Sequence, residues 1–171
     1  LPDNSVKTFP EGITAQEVAN SIGSGLARAV VVAKIDGVLK DLNYKILKDS
    51  SLELFTGDTP EGHDTLLHST AHLMAQAVKA LYPNAKFTIG PTIENGFYYD
   101  FDVDFSFSED SLALIENKMK ELSKKNQEIF RYEVSASEAV SIFEKMGESY
   151  KVEIVGQINP EDTISLYKQS D

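Results

Sequence analysis

The sequence predicts an α+β fold. Three observations carry that expectation: two capping boxes that open helices, at Thr14 and Ser135; a two-residue Asp36-Gly37 turn between β-branched runs; and helical-period segments interleaved with alternating ones throughout. With 171 residues, 42% of them hydrophobic and 25% charged, the chain has an ordinary globular composition. At that size roughly 70% of the unfolded surface can be buried, which is enough for a real core.

From the amino terminus, Ser5-Val6-Lys7-Thr8-Phe9 follows the turn-like Pro2-Asp3-Asn4 and reads as the second strand of a hairpin. Thr14-Ala15-Gln16-Glu17 is the first capping box, and Val18, Ala19 and Ile22 give its helix an apolar stripe before Gly23 stops it. A short helix near Leu26 to Ala29 follows. The run Val30 to Ile35 then turns at Asp36-Gly37 into Val38-Leu39-Lys40, the strongest hairpin signal in the chain. Leu52 to Phe55 alternates as a closing strand. Two glycines and a proline in Thr56 to Gly62 mark a break, so the predicted organisation is a first domain over 1–57, a linker over 58–62 and a second domain over 63–171.

In the second part, Asp64 to Leu81 carries the pattern of a long helix ended by Tyr82-Pro83-Asn84. Lys86 to Ile89 and the aromatic-rich Gly96 to Asp102 read as strands. A helix is expected from a Ser108 cap to about Asn126, with Leu112, Ile115, Met119 and Leu122 on one face. Ser135-Ala136-Ser137-Glu138 opens another, burying Val140, Phe143 and Met146 before Gly147. Tyr150 to Val155 alternates and reads as a strand. No internal repeat or low-complexity segment is present.

Charge and composition exclude several functions. Twenty-seven acidic against 16 basic side chains give a formal net charge of −11, unevenly spread: −1 over residues 1–57 and −10 over 58–171. Coating nucleic acid by many phosphate contacts calls for a basic protein. Recognition of one end of a nucleic acid remains compatible with these numbers. The chain has no cysteine, so it encodes no disulfide, thiolate metal site or cysteine nucleophile, and a reducing, cytoplasmic setting is expected. No run approaches the ~18 apolar residues of a membrane span, and no membrane partner is expected. Leu1 is not an initiator and the three methionines are internal, so a piece of a longer chain is expected.

The chemistry-bearing residues cluster. His63, His68 and His72 are the three histidines, and the last two are four apart on the predicted long helix, on the side opposite its apolar arc together with Lys79. Such a pair can contribute two ligands to a metal, but zinc needs at least three from protein, and Ser69 stands where zinc peptidases carry glutamate after the first histidine. His68 and His72 are thus possible metal ligands without an evident third. Gly90-Pro91 and Asn95-Gly96 bracket a loop where backbone can approach a ligand closely, or simply turn. Tyr98 and Tyr99 point to opposite faces of one strand, so at most one is core. Lys151, placed mid-strand, has the position of a surface lysine. No phosphate-cradling loop or dinucleotide fingerprint occurs.

Together, His68-Ser69-Thr70-Ala71-His72-Leu73, Ile89-Gly90-Pro91, Asn95 to Asp100 and Gly147-Glu148-Ser149-Tyr150-Lys151 closely resemble, in order and spacing, the amino-terminal half of bacterial threonyl-tRNA synthetases. The segment from Leu1 to about Gly57, with its Leu1-Pro2-Asp3 start and Gly23-Ser24-Gly25-Leu26-Ala27, is similar to the TGS domain, a ubiquitin-like β-grasp fold. His63 to Asp171 resembles the editing domain of that family, itself shared with alanyl-tRNA synthetases and free-standing deacylases.

The resemblance implies hydrolytic proofreading. Serine lacks one methyl of threonine, a difference that binding discriminates by about 1–3 kcal/mol, so a second site must remove serine from mischarged tRNA. It assigns His68 and Lys151 to water activation and substrate positioning, His72 to the same half-site, and Gly90, Pro91 and Tyr99 to the lining of a seryl-adenosine pocket. It implies threonine tRNA, held at its acceptor end, and seryl-tRNA as partners; for the parent enzyme it implies ATP, magnesium, zinc and homodimerisation through domains outside this chain, with no cofactor expected in these residues. The family's editing domain also carries an aspartate, a cysteine and a second histidine beyond the point matching Lys168 to Asp171. On that ground these 171 residues are expected to deacylate poorly and to lack synthetic activity. A non-catalytic RNA-binding or regulatory module using the TGS fold as an adaptor is the alternative.

Overall fold

The computed structural model describes residues 5–125, 127, 129–159 and 162–169. It divides into two units, Leu1–Ser69 and Thr70–Asp171.

In the first unit, β1 (Ile13–Thr14) runs directly into α1 (Ala15–Ile22). The expected capping box forms: the Thr14 hydroxyl accepts from the Glu17 amide at 3.2 Å, and the Glu17 carboxylate accepts from the Thr14 amide at 2.8 Å. Gly23 closes α1, its amide donating to the Ala19 carbonyl, and α2 (Ser24–Ala29) follows. β2 (Val30–Ile35) and β3 (Val38–Lys40) pair antiparallel about Asp36 and Gly37, whose φ of 50° and 81° supply the two left-handed positions of a type I′ turn. β4 (Lys45–Ile46) pairs with β1, and β5 (Leu52–Thr56) pairs with the other edge of β2, giving the order β3-β2-β5. Central β2 buries Val30, Val32, Ala33 and Ile35; α1 covers the sheet with Ala15 and Val18.

The Ser5–Phe9 strand does not form. Val6 is 92% exposed and no strand pairs with this segment among the described residues; Phe9 alone packs on the core. The Pro2–Asn4 turn and the Leu1-Pro2-Asp3 motif lie outside the described residues.

The long helix begins four residues before the expected Asp64. α3 (Pro60–Leu81) takes Pro60 into its first turn, where a missing amide costs nothing, and the Thr59 hydroxyl accepts from the Gly62 amide at 3.2 Å. Pro60 to Gly62, read as linker, are therefore helical. The division between the two units falls within α3, between Ser69 and Thr70.

In the second unit, β6 (Lys86–Phe87), β7 (Thr92–Ile93), β8 (Gly96–Phe97) and β9 (Phe101–Asp102) form nested pairs, β6 with β9 and β7 with β8. The single strand expected over Gly96–Asp102 is thus split. Pro91 has no amide to give to a ladder, so the connection narrows to isolated bonds such as Asp100 N–H to the Ile89 carbonyl at 3.0 Å. α4 (Glu109–Lys124) starts at its Ser108 cap and buries Ile115, with Met119 and Leu122 against the core; Leu112, expected on that face, is 58% exposed. The predicted end at Asn126 lies outside the described residues.

β10 (Ile129–Val134), α5 (Ala136–Lys145), α6 (Ser149–Gly156) and β11 (Ile164–Gln169) complete the unit, β10 and β11 pairing antiparallel. α5 has its capping box at Ser135, whereas Met146 beyond it is 59% exposed rather than buried.

The strand expected over Tyr150 to Val155 is a helix. Gly147, at a φ of 72°, ends α5, and the Glu148 carbonyl then accepts from the amides of Lys151 and Val152 at 3.1 and 3.2 Å, restarting helical bonding. This correction moves Lys151. In a strand it would oppose Val152; in α6 it lies one turn before Val155, the buried residue of that helix.

Candidate functional site

The site is best built outward from Phe87, a buried residue of the second core. Its ring meets Tyr99 edge-on, at a centroid separation of 6.1 Å, and Tyr99 stacks on Phe101 at 4.9 Å. Two ammonium groups sit over the Phe87 ring, Lys79 of α3 at 5.1 Å and Lys151 of α6 at 5.6 Å from its centroid; Lys151 is also 5.4 Å from the Phe143 centroid. Each such contact contributes about 0.5–1 kcal/mol where solvent still reaches the pair.

Beside Lys79 stands a carboxylate to which neither residue pattern nor resemblance assigns a role. Glu148 is 3% exposed, and its Oε1 accepts from Lys79 Nζ at 2.9 Å. Lys79 also donates to the Ala85 carbonyl at 3.0 Å. Burial depresses the Lys151 pKa below the usual lysine value; the Glu148 charge opposes that shift and the Lys79 charge adds to it. The Tyr99 phenol is pushed up, first by burial and then by the Glu148 charge, and so stays protonated and able to donate.

Of the six residues singled out from the sequence, Gly90, Tyr99 and Lys151 come together here. Gly90 has a plain reason to be glycine: a Cβ there would stand 2.2 Å from Cδ2 of Tyr99. Pro91 accepts from the Tyr98 amide at 3.4 Å, and Tyr98, on the opposite face, is 47% exposed. His72 is exposed on α3, with Gln76 and Lys79 following at i+4 and i+7 along the same stripe. His68 stands one turn earlier, also exposed, and falls within the first unit.

Among the described residues no group of three or more His, Asp or Glu side chains, the number of protein ligands that zinc requires, is arranged to hold an ion. Around Phe87 the arrangement offers a half-buried ammonium and a protonated phenol, with Gly90 packed under the phenol's ring. That combination suits stabilising negative charge on an ester carbonyl attacked by water.

Comparison with known proteins agrees with the expected resemblance. Residues 1–56 match the TGS domain. The whole chain is 49% identical over 171 residues to the threonine–tRNA ligase of Citrifermentans bemidjiense and 50% identical over 171 residues to that of Alkalilimnicola ehrlichii, covering 100% of this chain and 27% of each relative. This chain is homologous to the amino-terminal region of bacterial threonine–tRNA ligases. The ligase of Acetivibrio thermocellus is 47% identical over the same span. The chain thus spans about a quarter of the length of the threonine–tRNA ligases it matches, and its first unit carries the ubiquitin-like TGS domain. Among the described residues no helix is long and apolar enough to cross a membrane.

Proposed function

We propose that this chain serves a cytoplasmic threonine–tRNA ligase as its proofreading end. Residues 1–57 contact the acceptor end of threonine tRNA, residues 58–62 link, and residues 63–171 form part of an editing domain that hydrolyses mischarged seryl-tRNA. The observation that carries this reading is the placement of Lys151 and Tyr99 against Phe87, with Gly90 under the Tyr99 ring, in a chain half identical to the ligases along its own whole length.

In this mechanism an imidazole of the His68 and His72 pair orients a water and takes its proton. The water oxygen bonds to the ester carbonyl carbon, and the Lys151 ammonium and Tyr99 hydroxyl stabilise the oxyanion. Collapse breaks the ester C–O bond; the ribose hydroxyl leaves with the proton, and serine leaves as its acid. Gly90 and Pro91 bring backbone to the adenosine. Activation of threonine with ATP, magnesium and zinc, and homodimerisation, belong in this reading to residues outside these 171: the sequence has no phosphate-cradling loop, and its two arginines, Arg28 and Arg131, stand in no phosphate-clamping motif.

A non-hydrolysable ester mimic, seryl-3′-aminoadenosine, tests the assignment. In an NMR titration it is expected to perturb Gly90, Tyr99, His72 and Lys151 and to bind more tightly than the threonyl compound. No binding, or perturbation confined to other residues, overturns the reading and favours a non-catalytic adaptor. Hydrolysis of seryl-tRNA by these residues alone is expected to be slow or absent, because the cysteine of the family's editing set is missing from this chain.

A further inference from the structure

We infer that Glu148 is a positioning residue of this site: its buried carboxylate ties the start of α6 to Lys79 of α3 and thereby seats Lys151 against Phe87 and Phe143. The inference rests on the editing reading for its purpose, though not for its test.

Four observations converge on it. Glu148 is 3% exposed while its partner Lys79 retains 42% side-chain exposure, so the carboxylate carries most of the desolvation. A buried ion pair is a poor device for stability alone, since apolar residues of similar volume do as well or better. Oε1 accepts from Lys79, whereas Oε2 is buried without a hydrogen bond among the described residues. The side chain does not cap α6, although Glu148 occupies its N-cap position. The backbone of the same residue accepts the amide of Lys151 at 3.1 Å, so the group that is anchored and the lysine that is placed share one helical turn.

The electrostatics fit this role. Three groups from three segments face the carboxylate's field: Lys79 from α3, Tyr99 from between β8 and β9, and Lys151 from α6. Burial and Lys79 both disfavour the charged form of Lys151, and Glu148 opposes them. The Glu148 charge thus favours the charged form of Lys151 and, after burial, the protonated form of Tyr99, the two forms that suit stabilising an oxyanion.

The test uses the full chain with Glu148→Gln and Lys79→Gln, each checked for folding by circular dichroism. The pH dependence of Lys151 acylation is read by peptide mass spectrometry, with exposed Lys124 as internal reference. Either substitution cuts the tie and releases Lys151 from its buried seat, so Glu148→Gln and Lys79→Gln are both expected to move the Lys151 midpoint to higher pH, because burial is the main cause of its depression. An unchanged or lowered midpoint in folded Glu148→Gln shows that Lys151 keeps its buried seat without the tie and overturns the inference. Should Glu148→Gln fail to fold, Glu148→Asp and Lys79→Gln decide: retention of the wild-type midpoint in the first and an upward shift in the second support the role, and any other pair of results rejects it. If seryl-3′-aminoadenosine fails to bind the wild-type chain while the midpoints move as expected, the editing reading falls and the placement of Lys151 by Glu148 stands.

Discussion

Gly90 lies under the ring of Tyr99 so closely that a methyl group in place of its hydrogen would come within 2.2 Å of Cδ2 and 2.4 Å of Cε2. Glycine here makes room for the aromatic ring. The ring in turn is held by Phe87 and Phe101, so it has little room to yield.

Gly90→Ala is therefore expected to destabilise the second unit by about 1–3 kcal/mol through overpacking. Gly96→Ala, where an added Cβ meets nothing within 4 Å, is the control and should shift the midpoint far less. Urea unfolding of the two variants checks the difference.

Gly62→Ala should be at least as damaging to the start of α3. A Cβ there would lie 2.0 Å from the Thr56 carbonyl oxygen, which already accepts from the Thr59 amide at 3.0 Å and hydroxyl at 2.7 Å. Backbone cannot step aside as a side chain can. Loss of helical signal and early amide exchange over Pro60 to Thr65 are the expected readouts.

Tyr99 should ionise above the ordinary tyrosine range of about 10. Its folded-state value is raised, so the stability it contributes is complete below the unfolded value and lost as pH climbs toward the folded one. Absorbance titration at alkaline pH should lose a late component in Tyr99→Phe. A component lost at the ordinary value would contradict the burial of this phenol.

Acid should loosen both capping boxes. Glu17 and Glu138 are held below the usual glutamate value, Glu17 chiefly by the Thr14 amide and Glu138 chiefly by the Ser135 hydroxyl. Their support is present above the unfolded glutamate pKa and disappears as pH falls through the lower folded values. Melting temperature should drop over that window, and the drop should shrink in a Glu17→Gln, Glu138→Gln double variant.

Local chemistry in this chain was readable in advance, and distant partnership was not. The caps at Thr14, Ser108 and Ser135 and the Asp36-Gly37 turn depend on residues within a few positions, and each stands where its pattern placed it. β10 and β11 carry no clear local signal, because neither strand alternates cleanly and their pairing joins positions as distant as Arg131 and Tyr167. The alternation over Tyr150 to Val155 fits both a strand and a short helix, and the helical restart at Glu148 decides for the helix. At the site, Gly90, Tyr99 and Lys151 could be singled out by residue type and resemblance. The importance of Glu148 could not, because it comes from Lys79 on another helix, and an acid after a glycine looks like any exposed turn residue.

α1, α4 and α5 each open on a hydroxyl that closes the helix end from within its own first turn; α6 opens on an acid whose side chain is committed to Lys79, 69 positions away in the chain. A helix start secured by a short-range bond can form as soon as its own residues are available. One secured by so long a loop closure must wait for the rest of the unit to collapse. Lys151 should consequently be among the last side chains to reach its place during folding, its ammonium delivered only to a chain already assembled around Phe87.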